Sequence, residues 1–384
     1  MKNSAAFRFV LIIGVANLFA DLTYEGARGI VGPFLASLGA SAAIVGFVAG
    51  LGELLGYGLR SISGYFADKT HRYWLFAFSG YAINMLAVPA LALAGQWPMA
   101  AALVVAERAG RGIRKPTVEA MLSHAGKSIG AGWVFGLNEA LDQAGAMIGP
   151  LLVALILYLK GGYRTGFGVL LIPALVCLAI LIAARLLHPR PHELEEGAGH
   201  TFATPNLTRA YWIYLAAGAL IAAGFADFAL IGFHFQKAHI VPTNLIPVFY
   251  AAAMGSSALA AIPLGRLFDK FGASISLIAF LISAAAAPLV FLGQSYFALA
   301  GMVLWGIGMS AQGSLLQAML TGVIPPQKRS TAFGLFDTGY GIAWFLGSTA
   351  MGLLYDTSIL AVVLFSVILQ LAALPILFVA TRER

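Results

Sequence analysis

The stretch FADLTYEGARG, Phe19 to Gly29, places three ionisable side chains inside an apolar run. About twelve apolar or small residues precede it (Phe9 to Ala20) and about ten follow (Gly29 to Leu38). Neither flank alone reaches the roughly twenty residues that cross a bilayer, but the joined segment does. On one helix Asp21, Tyr24, Glu25 and Arg28 stand at i, i+3, i+4 and i+7 and project from one face. Three ionised groups at mid-membrane cost roughly 8 to 10 kcal/mol on an insertion scale, against about 4 to 8 kcal/mol returned by the large apolar residues of the segment. That face must be buried in a bundle or line an aqueous cavity.

The whole chain has the same character. Its 384 residues are 60% hydrophobic and 10% charged, with a mean hydropathy of +0.87, which is the composition of a polytopic membrane protein. Lys2 and Arg8 precede an apolar run as in a leader peptide, but no small-residue cleavage site follows, so the N-terminus reads as the first span. The net charge of +7 is scattered between apolar runs rather than gathered in a patch, which excludes a nucleic-acid surface. One cysteine, Cys177, excludes an intrachain disulfide and a multi-cysteine metal site. No metal or cofactor is expected.

Apolar runs of spanning length fall at about 8–38, 41–67, 73–94, 98–122, 131–159, 165–187, 209–236, 244–267, 273–293, 296–321, 330–355 and 358–380, an all-α chain of twelve transmembrane helices. The one long connection, rich in Pro, His, Glu and Gly, divides the chain into residues 1–187, a linker at 188–208, and residues 209–384. Loops on the N-terminal side hold Lys2, Arg8, Lys69, Arg72, Arg114, Lys115, Lys127, Arg185, Arg190, Arg209, Arg266, Lys270, Lys328, Arg329, Arg382 and Arg384. The opposite side holds Lys160, Arg164 and Lys237. The positive-inside rule therefore puts both termini and the linker in the cytoplasm of a cell whose cytoplasmic (inner) membrane the chain crosses.

The two halves repeat. Phe19-Ala20-Asp21 returns as Phe225-Ala226-Asp227, Gly64 to Lys69 as Gly265 to Lys270, Glu119 to Leu122 as Gln317 to Leu320, and Phe135 to Leu137 as Phe333 to Leu335, at offsets of 206, 201, 198 and 198. Four matches in order mark a parallel duplication of six helices. Spans 3, 6, 9 and 12 carry no charged residue in their apolar runs, apart from Arg185 at the cytoplasmic end of span 6, and are expected to face lipid. Charges fall instead on span 1, span 2 (Glu53, Arg60), span 4 (Glu107, Arg108, Arg111), span 5 (Glu139, Asp142), span 7 (Asp227) and span 11 (Asp337).

With these features the chain resembles the major facilitator superfamily, whose members have two pseudo-symmetric six-helix bundles with a substrate site between them at mid-membrane. The loop between spans 2 and 3 carries the likeness in Gly64, Asp68, Lys69 and Arg72, with His71 where the family has Gly. The second copy has Gly265, Asp269, Lys270 and Gly272. There a carboxylate facing a helix N-terminus of the other half, such as span 11, would latch an inward gate; an ordinary Asp-Lys turn is the alternative. Gly145, Gly149 and Pro150 on span 5 resemble the motif of drug:proton antiporters, although the trailing glycines are replaced by Val153 and Ala154; small-residue helix packing is the alternative. Arg108 and Gly112 match the family's span 4 motif. Arg108 cannot titrate, so it would act on a carboxylate, with Glu107, Glu25 or Glu139 as partner, or form a static ion pair.

Glu139, Asp142 and Gln143 form a second acidic face, with Asn138 paired to Asp142. His234 is the one histidine inside a span and is expected to be hydrogen-bonded. Trp133, Phe135, Phe225, Phe228, Trp305 and Trp344 are candidates for an aromatic wall. The resemblance implies a secondary active transporter and not an enzyme: a monomer moving a small organic or amphiphilic solute, coupled to H+ and directed outward. Asp21, Tyr24, Glu25, Arg28, Arg108, Arg111, Glu139, Asp142 and Asp227 would serve substrate and proton. Uptake of a polar metabolite and a lipid scramblase are the competing readings.

Overall fold

The computed structural model describes the backbone of all residues except 1, 71, 130, 188–207, 273, 322, 325–328 and 383–384. Side chains at 2–5, 68, 124–133, 135, 269, 321, 329–331 and 380–382 also lie outside the described residues. The linker, and the side chains of Asp68, Asp269, His71, Trp133 and Phe135, are among those set aside.

The described residues form helices α1 (Lys2–Ser37), α2 (Ala42–Thr70), α3 (Tyr73–Ala90), α4 (Trp97–Ile129), α5 (Ala131–Tyr158), α6 (Tyr163–Val169), α7 (Leu171–Leu187), α8 (Arg209–Gly224), α9 (Phe228–Lys237), α10 (Ile246–Phe271), α11 (Ser274–Ala284), α12 (Ala286–Leu292), α13 (Ser295–Thr321), α14 (Arg329–Thr357) and α15 (Ile359–Arg382). Three pairs, α6/α7, α8/α9 and α11/α12, are single spans interrupted once, so the elements make the twelve spans expected. Among the described residues, ten spans are long and apolar enough to cross a membrane by length and composition; α4 and α14 are the two not among them. Both are long enough to cross, but α4 carries Glu107, Arg108, Arg111, Arg114 and Lys115 along its length.

Two compact units emerge: Met1–Gly29 with Leu55–Thr201, and Ile30–Leu54 with Phe202–Arg384. Contacts thus group the last eight residues of α1 (30–37) and the first part of α2 (42–54) with the second unit, a division that differs from one drawn at the linker.

In the first unit the packing of α5 on α1 rests on small residues. A Cβ on Gly145 would overlap the Leu18 carbonyl, and one on Gly149 the Leu22 carbonyl, so the two backbones touch where any side chain would hold them apart. Pro150 follows inside α5 without ending it. Gly64 behaves differently. Its Cβ would stand 3.4 Å from Pro116 Cβ, an ordinary side-chain contact, and at Gly265 nothing among the described residues lies within 4 Å. Gly272 is required for another reason: it caps α10 at φ 65° and donates its N–H to Phe268 O at 2.7 Å, a left-handed position that disfavours side chains.

In the second unit, the seventh span breaks between Gly224 and Phe228. The free carbonyl of Gly224 accepts from Ser366 Oγ (2.5 Å) and Gln370 Nε2 (3.2 Å), and that of Ala226 from Trp305 Nε1 (2.8 Å). Asp227 is the N-cap of α9, its Oδ1 accepting from the Ala229 N–H at 2.9 Å. Non-helical backbone at membrane depth survives because every one of these groups finds a partner in protein.

Gly145→Ala and Gly149→Ala each lower the apparent melting temperature of the purified protein through overpacking of about 1 to 3 kcal/mol. Gly58→Ala and Gly136→Ala, with nothing within 4 Å of the new Cβ, leave it unchanged or raise it, because Ala is the better helix former by about 1 kcal/mol. Thermal unfolding followed by size exclusion separates the two pairs.

Candidate functional site

A guanidinium in an apolar bundle has five N–H donors to satisfy, and the first unit is built to satisfy those of Arg114. Arg114 lies in α4 and is 6% exposed. Its Nη2 stands 3.6 Å from Asp21 Oδ1 of α1, Nε donates to Asn84 Oδ1 of α3 (3.2 Å), and Nη1 donates to Asn17 Oδ1 of α1 (3.3 Å). The guanidinium carbon lies 4.5 Å from the Tyr81 ring centre and 5.8 Å from that of Tyr24. Arg114 is therefore no loop charge, as its place beside Lys115 suggested; α4 continues through it, and partners from α1 and α3 hold it inside.

The network extends in two directions. Asn17 Oδ1 also accepts from the Tyr81 hydroxyl, and Asn17 Nδ2 donates to Asn138 Oδ1 (2.7 Å), whose Nδ2 donates to Asp142 Oδ2 (3.0 Å). Asp142 Oδ1 is buried and has no hydrogen-bond partner among the described residues. On the other side, Asn84 Nδ2 donates to both the backbone carbonyl (3.1 Å) and Oε1 (2.7 Å) of Glu107, and Glu107 Oε2 lies 3.3 Å from Arg108 Nε. Among the partners expected for Arg108, Glu107 stands at ion-pair distance.

Glu25 and Arg28, both buried, face each other one turn apart on α1 at 3.9 Å. Arg111 lies with its guanidinium 4.5 Å above the Tyr24 ring. Asp21, Tyr24, Arg111 and Asp142 thus meet around Arg114, while Glu139 is exposed and accepts from Gln143 Nε2 at 2.8 Å. Asp227 belongs to the second unit as a helix cap. Sequence reasoning missed Asn17, Tyr81, Asn84 and Arg114. Asn17 lies one turn before Asp21 on the charged face of α1, which is the one signal that marked it in advance.

Elsewhere the second unit holds an aromatic cluster. Phe225 stacks on Trp305 (5.2 Å between ring centres) and leans on Trp344 (5.8 Å), and Phe228 lies 6.4 Å from Trp305. His234 shares a hydrogen bond with the Tyr355 hydroxyl through Nδ1 (2.9 Å) and packs on Phe291. In the loop motifs, Lys69 lies over Tyr65 and Lys270 over Phe271, both exposed, and Arg72 is exposed. Among the described residues no group of His, Cys, Asp or Glu side chains is arranged to hold a metal ion.

The family model of the Major Facilitator Superfamily matches residues 13–348 and 241–384. The chain belongs to the major facilitator superfamily. An uncharacterised protein of Mycobacterium tuberculosis is 38% identical over 389 residues, covering 99% of this chain and 94% of that protein. An uncharacterised MFS-type transporter of Methanocaldococcus jannaschii is 26% identical over 369 residues, covering 91% and 89%. A mutant of the nucleoside transporter NupG shares the fold with a TM-score of 0.80 at 12% identity, covering 96% and 99%. The protein is a multi-pass secondary transporter for a small molecule and not an enzyme.

In this superfamily member, Arg114→Gln leaves the Asp21 carboxylate buried without its cation, a loss of about 3 to 5 kcal/mol, whereas the double variant Asp21→Asn/Arg114→Gln recovers part of it. Folded yield and apparent melting temperature of the four members of the cycle measure the coupling. Additive losses would dissolve the pair.

Proposed function

We propose that this transporter exports a small organic or amphiphilic solute in exchange for protons, by rocker-switch alternating access. The observation that carries the proton-coupled reading is the set of carboxylates on α1 and α4 buried beside arginines: Asp21 with Arg114, Glu25 with Arg28, Glu107 with Arg108. An arginine stays charged throughout, so any change of protonation in this set falls on a carboxylate, and moving an arginine away from one favours its protonated form. Asp21 is committed to the Arg114 network, and Glu107 accepts from Asn84 as well as from Arg108. Glu25 pairs with Arg28 of its own helix at 3.9 Å. Its counterpart by the 206-residue offset is Ile231, so Glu25 is additional to the duplicated framework. We assign it the coupling proton, with Arg28 and Arg108 as the cations that respond to substrate. Tyr24, Arg111, Glu139, Asp142 and Asp227 complete the candidate set.

The charged interior of the first unit and the aromatic cluster of the second each suit one part of an amphiphile. The density of buried charge also favours a second reading, uptake of a polar metabolite. A scramblase groove has no use for these pairs. The outward direction rests on the Gly145-Gly149-Pro150 pattern, and Asp68, with Gly64, Lys69, Arg72 and the second copy at Gly265, Asp269 and Lys270, is assigned to the inward gate. The working unit is a monomer of two six-helix halves, 1–187 and 209–384, with termini and linker in the cytoplasm at the inner membrane.

A ligand-stabilisation screen on purified protein supplies the solute, since anything that binds the native state raises its apparent stability. In proteoliposomes with an imposed pH gradient, Glu25→Gln then abolishes accumulation of that solute against its gradient while solute counterflow persists. Accumulation by Glu25→Gln at the parent rate removes Glu25 from the role. Reversing the sign of the gradient decides between export and uptake.

A further inference from the structure

The start of α2 is capped from two sources. Ser41, its own N-cap, accepts the Ile44 N–H through Oγ (3.3 Å) and the Val45 N–H through its carbonyl (3.0 Å). The two remaining first-turn donors go to another helix: Ala42 N–H donates to Asp356 Oδ1 (3.3 Å) and Ala43 N–H to Asp356 Oδ2 (3.1 Å). Asp356 stands in the last turn of α14. Its carboxylate takes two donors that no intrahelical carbonyl reaches, and its charge faces the positive end of the α2 dipole.

Beneath this cap α2 and α14 touch backbone to backbone. A Cβ on Gly46 would overlap the Ser348 carbonyl, one on Gly50 would stand 2.9 Å from Phe345 Cα, and one on Gly352 would meet Ala42 and Ala43. Phe47 and Phe345 pack edge to face at 5.5 Å. By sequence α2 belongs to the first repeat and α14 to the second, so this seam joins the repeats at the face remote from the chain termini.

We infer that Asp356 is a latch on this face: a carboxylate that bridges two N–H groups of α2 only while the seam is shut and releases them when it opens. The inference goes beyond the proposed function, since it needs neither proton coupling, solute nor direction, only that the transporter alternates between two states. The latch is one-sided. With the offset of 198 that relates spans 5 and 11, the position matching Asp356 is Tyr158, which brings no charge. Ser41 provides an internal comparison, because its cap travels with α2 and is present whether the seam is open or shut. Losing the Ser41 cap weakens both states alike; losing the Asp356 cap weakens one.

The test uses full-length protein with Cys177→Ser and a single reporter, Ser348→Cys, at a seam position that is 2% exposed and whose hydroxyl has no partner among the described residues. Vesicles of each orientation are labelled with a membrane-impermeant maleimide. Asp356→Ala and Asp356→Asn raise the labelling rate from the side remote from the termini by roughly three- to tenfold, the population shift that a charged helix cap supports. Asp356→Glu stays near the parent rate, and Ser41→Ala stays within about twofold of it. Asp356 is exposed, so its variants keep the packed core; size exclusion confirms this, and Asp356→Asn carries the result should the alanine variant express poorly. Parent-rate labelling of the Asp356 variants, or an equal rise in Ser41→Ala, overturns the latch.

Discussion

A permanently charged group buried in an apolar bundle constrains everything near it. Arg114 cannot shed its proton, and leaving its donors unmet in low dielectric costs several kcal/mol, so the helices around α4 must deliver acceptors to one point. Asn17 and Asp21 come from α1, Asn84 from α3, and the Tyr81 ring covers the guanidinium face. Side chains that answer one buried charge also fix the rotation and depth of the helices bearing them. Asn17 then passes the constraint to α5 through Asn138 and Asp142. The polar core thus specifies the register of four spans that nonspecific apolar packing would leave loosely defined.

Lipid gives helices no hydrophobic reason to associate, so the remaining adhesion comes from close packing. The glycines of α5 on α1, and of α2 against α14, allow contact at backbone distance, where dispersion is strongest. These seams differ in what surrounds them. The α5 and α1 seam lies beside the arginine network and is pinned by it; the α2 and α14 seam carries an aromatic edge contact and the Asp356 carboxylate. Packing alone is reversible in a way that a buried ion network is not.

The architecture was legible because hydropathy marks membrane spans directly, and the duplication was legible because four short motifs kept their order. The interrupted spans were not. Phe225 and Ala226 continue the apolar run, Asp227 reads as a buried charge rather than as a helix cap, and the partners that stabilise the break, Ser366, Gln370 and Trp305, lie on distant helices. Arg114 was counted with Lys115 among the loop charges although the run was drawn on to residue 122, and its burial depends on Asn84 and Asn17. Neutral amides in apolar runs carry no periodic signal of their own. Pairs within one helix, the ion pair of Glu25 with Arg28 and the hydrogen bond of Asn138 with Asp142, were visible, since their spacing is set by the helix itself.

The polarity of α4 and α14 bears on how the chain is made. Polar and charged residues within a span weaken its own partitioning into lipid, so such a span gains from neighbours that meet its polar groups as it enters the membrane. For α4 those segments, α1 and α3, are already synthesised when Arg114 emerges, and the segment that completes the polar chain, α5, comes next. For α14 the early company is α8, whose Tyr211 hydroxyl donates to the Ala332 carbonyl, and α13, whose Gln312 meets Tyr340. For α4 and α14 the order of helices along the chain is thus also an order of assembly, in which a polar span follows neighbours that meet part of its polar groups.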